Sequence, residues 1–275
     1  MFKNCDFFLN LIFRKSIYNS FCFIFIPLNL SSFKSIKNFS DEIKSKYQKI
    51  DILINNAGVS PFNNIFKTED GYINGFQVNY LGNVLLTLLL MEHFNEKESK
   101  IINVSSQAHK WSKLTYGDSK YLNDYGLKFN NSDFKIRRQL YPDSKLLLNY
   151  FTQYLGSLAE EKYPYLKVVC LHPGRIFTNI FTSQKNIVFK ILFNVIFRSI
   201  WYFSTKDVIH GAQTTLFLSY SDNKDLVNGA YYNFLKIEKY TPIAKDEKLR
   251  NEMVNETLNI LKGKYKELDY FPHSK

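Results

Sequence analysis

A chain of 275 residues with 36 Lys+Arg against 25 Asp+Glu carries a formal net charge of +11, and that length suits one large domain or at most two. Hydrophobic residues at 45% and charged residues at 22%, with a mean hydropathy of −0.25, exclude a disordered chain and a bundle of membrane spans. Cys5, Cys22 and Cys170 are too scattered for a disulfide scaffold or a zinc site, and the five histidines are dispersed, so no metal site is expected.

The N-terminal segment 1–23 and the residues just after it carry two short apolar runs, Phe7–Phe13 and Phe21–Leu28. Neither reaches the roughly 18 residues needed to cross a bilayer, and Arg14 and Lys15 follow the first run instead of preceding it, against a secretory signal. That segment is left unassigned, with a signal anchor as the minor alternative. From residue 24 to 275 the pattern reads as one α/β domain. Its strands are expected at Ile24–Leu30, Asp51–Ile54, Lys100–Val104, Lys167–Leu171 and Ala230–Phe234. Between them, helices are expected at Phe33–Lys46, Glu69–His93, Tyr141–Lys162 and Thr205–Ser219, the last of these capped by Ser204 and Asp207. A final helix, Asp246–Leu261, sets Leu249, Met253, Val254, Thr257, Leu258 and Leu261 on one face. Strand and helix in alternation predict a parallel sheet with crossovers. Gln107 to Arg138 has poor periodicity and reads as an expanded loop.

Chemistry is expected at the carboxyl ends of these strands. Asn55-Asn56-Ala57-Gly58 closes an apolar strand with two amides and two tiny residues, which would let a ligand approach the backbone. The next strand ends in Val104-Ser105-Ser106, and a serine there can donate to a carbonyl oxygen that becomes an alkoxide. Tyr141 and Lys145 stand at i and i+4 of a helix, where the ammonium should favour the phenolate and lower the tyrosine pKa. The same spacing recurs elsewhere, notably at Tyr116 and Lys120. Only Tyr141 is followed by a long apolar helix, a strand and the turn His172-Pro173-Gly174, whereas Gly117, Gly126, Asn130 and Asn131 spoil a long helix after Tyr116.

The order Asn-Asn-Ala-Gly, Asn-Val-Ser-Ser, Tyr-x-x-x-Lys and His-Pro-Gly-x-x-x-Thr resembles the short-chain dehydrogenase/reductase family. Gly211-Ala-Gln-Thr-Thr215 and Gly229-Ala-Tyr-Tyr are similar to its retinol-dehydrogenase-like and WW-domain-oxidoreductase-like branch. The resemblance implies a Rossmann-type fold with helices on both faces of a parallel sheet. It implies NADP, with NAD as the other candidate, and hydride transfer between a carbonyl and an alcohol, here on a lipophilic small molecule. By position, Tyr141 would exchange the proton, Lys145 would hold the nicotinamide ribose, Ser106 would orient the substrate carbonyl and Asn79 would support a proton relay. Asn55, Ala57, Gly58, Pro173, Gly174, Ile176 and Thr178 would line the cofactor, with Asn29 beside the adenine.

The departures are equally legible. No glycine precedes Gly58, so the glycine-rich turn that cradles a pyrophosphate is missing and the first βαβ unit is read as incomplete. An N-terminally truncated domain, or a non-catalytic remnant that has lost cofactor binding, is the alternative reading. Ser106 and Tyr141 lie further apart than the family norm, so the loop between them is read as expanded, in a position to reshape the substrate mouth. Asn186, Lys190, Asn194 and Arg198 recur every four residues among Ile, Val, Leu and Phe, so 186–203 is expected to form a substrate lid, with contact with a membrane surface or a packed core helix as the alternatives. A cytoplasmic location, with membrane association as an option, follows. The excess of Lys partly reflects the A/T-rich codons that also favour Phe, Ile, Asn and Tyr, and with no ordered aromatic platform a nucleic-acid partner is not expected.

Overall fold

The structure is a computed structural model that describes residues 11–15, 21–59, 65–118, 122, 134–174 and 208–274. β1 (Leu11–Lys15) and β2 (Phe21–Phe25) pair with each other antiparallel in a sheet of their own. α1 (Phe33–Lys46) runs over the span expected from sequence. Ser32 caps it, its Oγ accepting from Ser35 N at 3.2 Å, and the Phe33 amide donates to Asp70 Oδ2 at 2.7 Å. A carboxylate at that end complements the helix dipole. Phe33, Ile36, Phe39 and Ile43 form its buried stripe.

The main sheet takes β3 (Ile52–Asn55), β4 (Ser99–Val104), β5 (Leu166–His172), β6 (Tyr231–Asn233) and β7 (Lys236–Ile237) in that order. The first four are parallel and β7 turns back antiparallel on β6. Crossovers run through α2 (Asn74–Phe76), a π-helical turn at Gln77–Leu81, and α3 (Gly82–Leu90), then through α4 (Phe134–Lys162), then through α5 (Val208–Tyr220). α6 (Glu247–Lys262), capped by Asp246, buries the six residues its periodicity singled out. Successive strand residues face opposite cores: Ile101 and Val168 join the large cluster with α1, α3, α4 and α6, while Ile102 and Val169 join a smaller one with Leu218 of α5. Strands buried on both faces are what a parallel sheet requires. The fold is Rossmann-like, as the sequence pattern predicts.

Three elements depart from expectation. The strand expected at Ile24–Leu30 is not part of the main sheet; β2 ends at Phe25, and Ile26, Leu28 and Leu30 bury their side chains from extended chain outside any strand. Pro27 has no N–H to give a ladder, which favours burial without pairing. α4 starts at Phe134, ahead of the expected Tyr141, and carries Pro142 inside it. The proline reads in sequence as a first-turn residue, yet a helix this long survives one missing hydrogen bond. The helix expected at Glu69–His93 is interrupted by the π-helical turn, and every residue from Tyr72 to Met91 is buried. The cap at Ser204 and Asp207, the segment 186–203 and most of residues 119–133 lie outside the described residues.

Candidate active site

The carboxyl edge of the sheet is held by a ladder of buried side chains. Asn55, Asn103 and Cys170 are register partners on β3, β4 and β5. Asn55 Nδ2 donates to Thr87 Oγ1 at 3.0 Å and to Asn103 Oδ1 at 2.8 Å, and Asn103 Nδ2 donates to Thr152 Oγ1 at 2.9 Å. These bonds stitch α3, two strands and α4 together one layer beneath the strand ends. Asn55, expected to line a cofactor, is buried at the end of β3 with its side-chain amide nitrogen committed inside the protein.

Above that layer Ser106 leaves β4 and caps a one-turn 3-10 helix, Gln107–Trp111, its Oγ accepting from Ala108 N at 3.2 Å. The phenol of Tyr141 on α4 lies near the Ser106 side chain, which acts to lower its pKa. Lys145, one turn further along, places Nζ 5.8 Å from the Tyr141 ring centroid and donates to Val104 O at 2.8 Å. Ser105 Oγ donates to Lys145 O at 3.2 Å, tying the same helix turn to β4. The structure therefore brings Ser106, Tyr141 and Lys145 together across 40 positions of sequence, as the motif order predicts.

Asn79 joins them from the π-helical turn. Its Oδ1 accepts from Val59 N at 2.7 Å, and its Nδ2 donates to Val59 O at 3.0 Å and Ser144 Oγ at 3.2 Å. The extra residue in a π-turn re-aims the backbone locally, a feature with no sequence signal here. A Cβ on Gly58 would lie 3.3 Å from Asn79 Oδ1 and 3.5 Å from Lys145 Nζ, so this bare backbone borders the same space. Ala57 and Gly58 are half-buried at the end of β3. At the end of β5, Pro173 and Gly174, the latter at φ +90°, border a cavity of about 100 Å³ beside Thr214 of α5. The nearby Phe234–Leu235 turn, also lining it, runs at positive φ.

The electrostatics correct one expectation. Burial raises the Tyr141 pKa above its ordinary value, and the Ser106 side chain only partly offsets that, so the phenol is held protonated. Lys145 was expected to lower it, but its own pKa is lowered to about 8 by burial, which weakens the charge it can offer. Asn29, expected beside the adenine, sits in the turn before α1, where its Oδ1 accepts from Ser31 N at 2.9 Å and from Ser31 Oγ at 2.6 Å. Ile176 and Thr178 lie outside the described residues. The rival Tyr116 is exposed and lies under the Lys248 ammonium, 3.8 Å from its ring centroid, on the α6 side. Sequence reasoning missed Ser144 and His109, whose partners are set by the tertiary fold. Among the described residues no helix is long and apolar enough to cross a membrane, and no His/Cys/Asp/Glu cluster could hold a metal.

The family model described as short chain dehydrogenase matches residues 13–121. Human retinol dehydrogenase 13 is 31% identical over 235 residues, covering 85% of this chain and 67% of that protein. The chain belongs to the short-chain dehydrogenase/reductase family, in its retinol-dehydrogenase-like branch. Mouse retinol dehydrogenase 14 is 32% identical over 229 residues, 82% of this chain, and the chain spans only 63% of its length. Among solved structures the dehydrogenase fold recurs in salutaridine reductase from Papaver somniferum, with a TM-score of 0.54 and 18% identity over 76% of this chain and 82% of that one. It recurs again in the NADPH-bound carbonyl reductase from chicken fatty liver, with a TM-score of 0.52 and 22% identity over 79% and 74%.

Proposed function

We propose that this dehydrogenase-family chain catalyses nicotinamide-dependent interconversion of a carbonyl and an alcohol on a lipophilic substrate, with Tyr141, Ser106 and Lys145 as its catalytic residues. The observation that carries the reading is the convergence of the buried Tyr141 phenol, the Ser106 side chain and the Lys145 ammonium beyond the carboxyl end of β4. The retinol dehydrogenases it is most readily compared with are named for a lipophilic alcohol, which makes retinal the first substrate to try.

The residues present fit the nicotinamide-ribose end of a dinucleotide. Ala57 and Gly58 leave the backbone bare, Lys145 Nζ lies within reach of that space, and Pro173 and Gly174 follow the carboxyl end of the next strand but one. When bound, the cofactor supplies or accepts the hydride. Tyr141 gives its phenolic proton to the carbonyl oxygen as that oxygen gains charge, and takes it back when an alcohol is oxidised. Ser106 Oγ holds the same oxygen in line, and the Lys145 ammonium stabilises the phenolate that remains. Asn79 fixes Val59 and Ser144 on either side of the site, so that a relay of protons would pass beside Lys145. A phenol kept protonated by burial suits the acid role in carbonyl reduction. NADP is the preferred cofactor, in line with the NADPH-bound carbonyl reductase of the same fold.

One observation favours the second reading, a binding protein without turnover: β1 and β2, which precede α1 in sequence, form an antiparallel ribbon of their own and not a parallel βαβ unit. Purified chain incubated with NADPH and retinal separates the two. Stoichiometric loss of reduced nicotinamide and appearance of retinol is expected; saturable NADPH binding without turnover of retinal or other apolar aldehydes would overturn the catalytic reading.

A further inference from the structure

The geometry points to His109 as a positioning residue for Ser106, an inference that rests on the catalytic reading of Ser106 and Tyr141. Ser106 must present Oγ to the Tyr141 phenol from the mouth of a single 3-10 turn, an element too short to be rigid by itself. His109 supplies the anchor. Its backbone N–H donates to Ser106 O at 3.2 Å, and its ring Nδ1 lies 2.6 Å from the same carbonyl. A carbonyl oxygen only accepts, so the ring carries its proton on Nδ1.

The imidazole is 1% exposed and stands edge-on to Tyr231 of β6, with ring centroids 4.9 Å apart and planes at 71°. Its neighbour Lys110 pairs with Glu238, which also accepts from Asn233 Nδ2 at 2.7 Å. The turn is thus locked to the β6–β7 hairpin twice, through a buried ring and through a surface ion pair. Burial also lowers the His109 pKa, which keeps the ring neutral around neutral pH. An exposed ion pair of this kind contributes little; the buried ring holds the register of the turn, and with it the direction of Ser106 Oγ.

Three substitutions test this. His109→Phe keeps the ring packing but removes the donor, and should lower kcat about 10- to 100-fold with little change in KM, the scale of a misplaced catalytic group. His109→Asn puts an amide N–H where Nδ1 stands and should restore most of the loss, whereas His109→Gln, whose amide reaches the Nε2 position, should not. In a Ser106→Ala background, His109→Phe should cost nothing further, because the two act through one atom. Equal cost in both backgrounds, or rescue by Gln as good as by Asn, would reduce His109 to a packing residue and overturn the inference.

A readout independent of turnover separates this claim from the proposed activity. Nitrogen-15 NMR of the full chain, with the His109 signal assigned by its loss in His109→Asn, should show an Nδ1–H ring. An Nε2–H ring overturns the positioning role even in an active enzyme, while an Nδ1–H ring in a chain without turnover leaves the anchor standing and the catalytic reading at fault.

Discussion

Replacing Asn103 by Ala tests the ladder that sets the depth of the site. Asn103 is fully buried, accepts from Asn55 Nδ2 at 2.8 Å and donates to Thr152 Oγ1 at 2.9 Å. Truncation removes both bonds. Asn55 Nδ2 keeps one acceptor, Thr87 Oγ1, and Thr152 Oγ1 still donates to Leu148 O, so neither partner is wholly abandoned. Two hydrogen bonds at ~1 kcal/mol each, with a partial desolvation penalty and a small void, give a loss of about 2–4 kcal/mol. Urea unfolding of wild type and Asn103→Ala at one pH would measure it, with the slope against denaturant unchanged. The strand ends carrying Gly58 and Ser106 sit directly above the ladder, so activity should fall with stability. A loss under about 0.5 kcal/mol, as for an ordinary surface site, would refute the claim that these amides clamp the sheet to α3 and α4.

Further outcomes follow from the same contacts. The lowered Lys145 pKa, about 8 against an ordinary 10.5, means the folded state binds fewer protons than the unfolded one between those limits. Stability should therefore rise with pH across that window, by about 2–3 kcal/mol from pH 8 to pH 10, and Lys145→Met should flatten the rise and be the more stable protein at pH 7; a parallel profile in thermal scans would contradict the assignment. Gly156→Ala should destabilise the chain despite alanine's ~1 kcal/mol helix advantage, because the new Cβ would lie 2.5 Å from Gly229 N; an unchanged urea midpoint would count against the close approach of α4 to the turn before β6. Calorimetry should find NADPH binding the 275-residue polypeptide within about tenfold of reduced nicotinamide mononucleotide, or ~1.4 kcal/mol, since no glycine precedes Gly58 to cradle a pyrophosphate. A preference of several orders of magnitude for the dinucleotide would point to a phosphate site elsewhere.

Much of the fold and the heart of the site were legible in the sequence because local signals agreed. α1 has a serine cap, a clear inner stripe and lysines in its last turn, and it falls between the expected bounds. Tyr141 could be chosen over Tyr116 because only its sequel builds a helix and a strand, and the structure places Tyr116 on the surface. What was not legible depends on contacts distant in sequence. The role of the Asn55 side chain as a clamp to Asn103 and Thr87 depends on partners 48 and 32 residues away. Nothing in Gln77–Leu81 announces a π-turn, and His109 acquires its partner Tyr231 only when β6 docks. The sign of the Tyr141 shift was misread because the charge of Lys145 was weighed and the burial of both groups was not.

The most direct measurement of the central claim is NADPH-dependent reduction of retinal by wild type, Tyr141→Phe and Tyr116→Phe side by side, each first shown to be folded. The account predicts that Tyr141→Phe loses about 10²- to 10⁴-fold in kcat, the range for removing a general acid, while Tyr116→Phe matches wild type. Full turnover in Tyr141→Phe, or its loss in Tyr116→Phe, would contradict it.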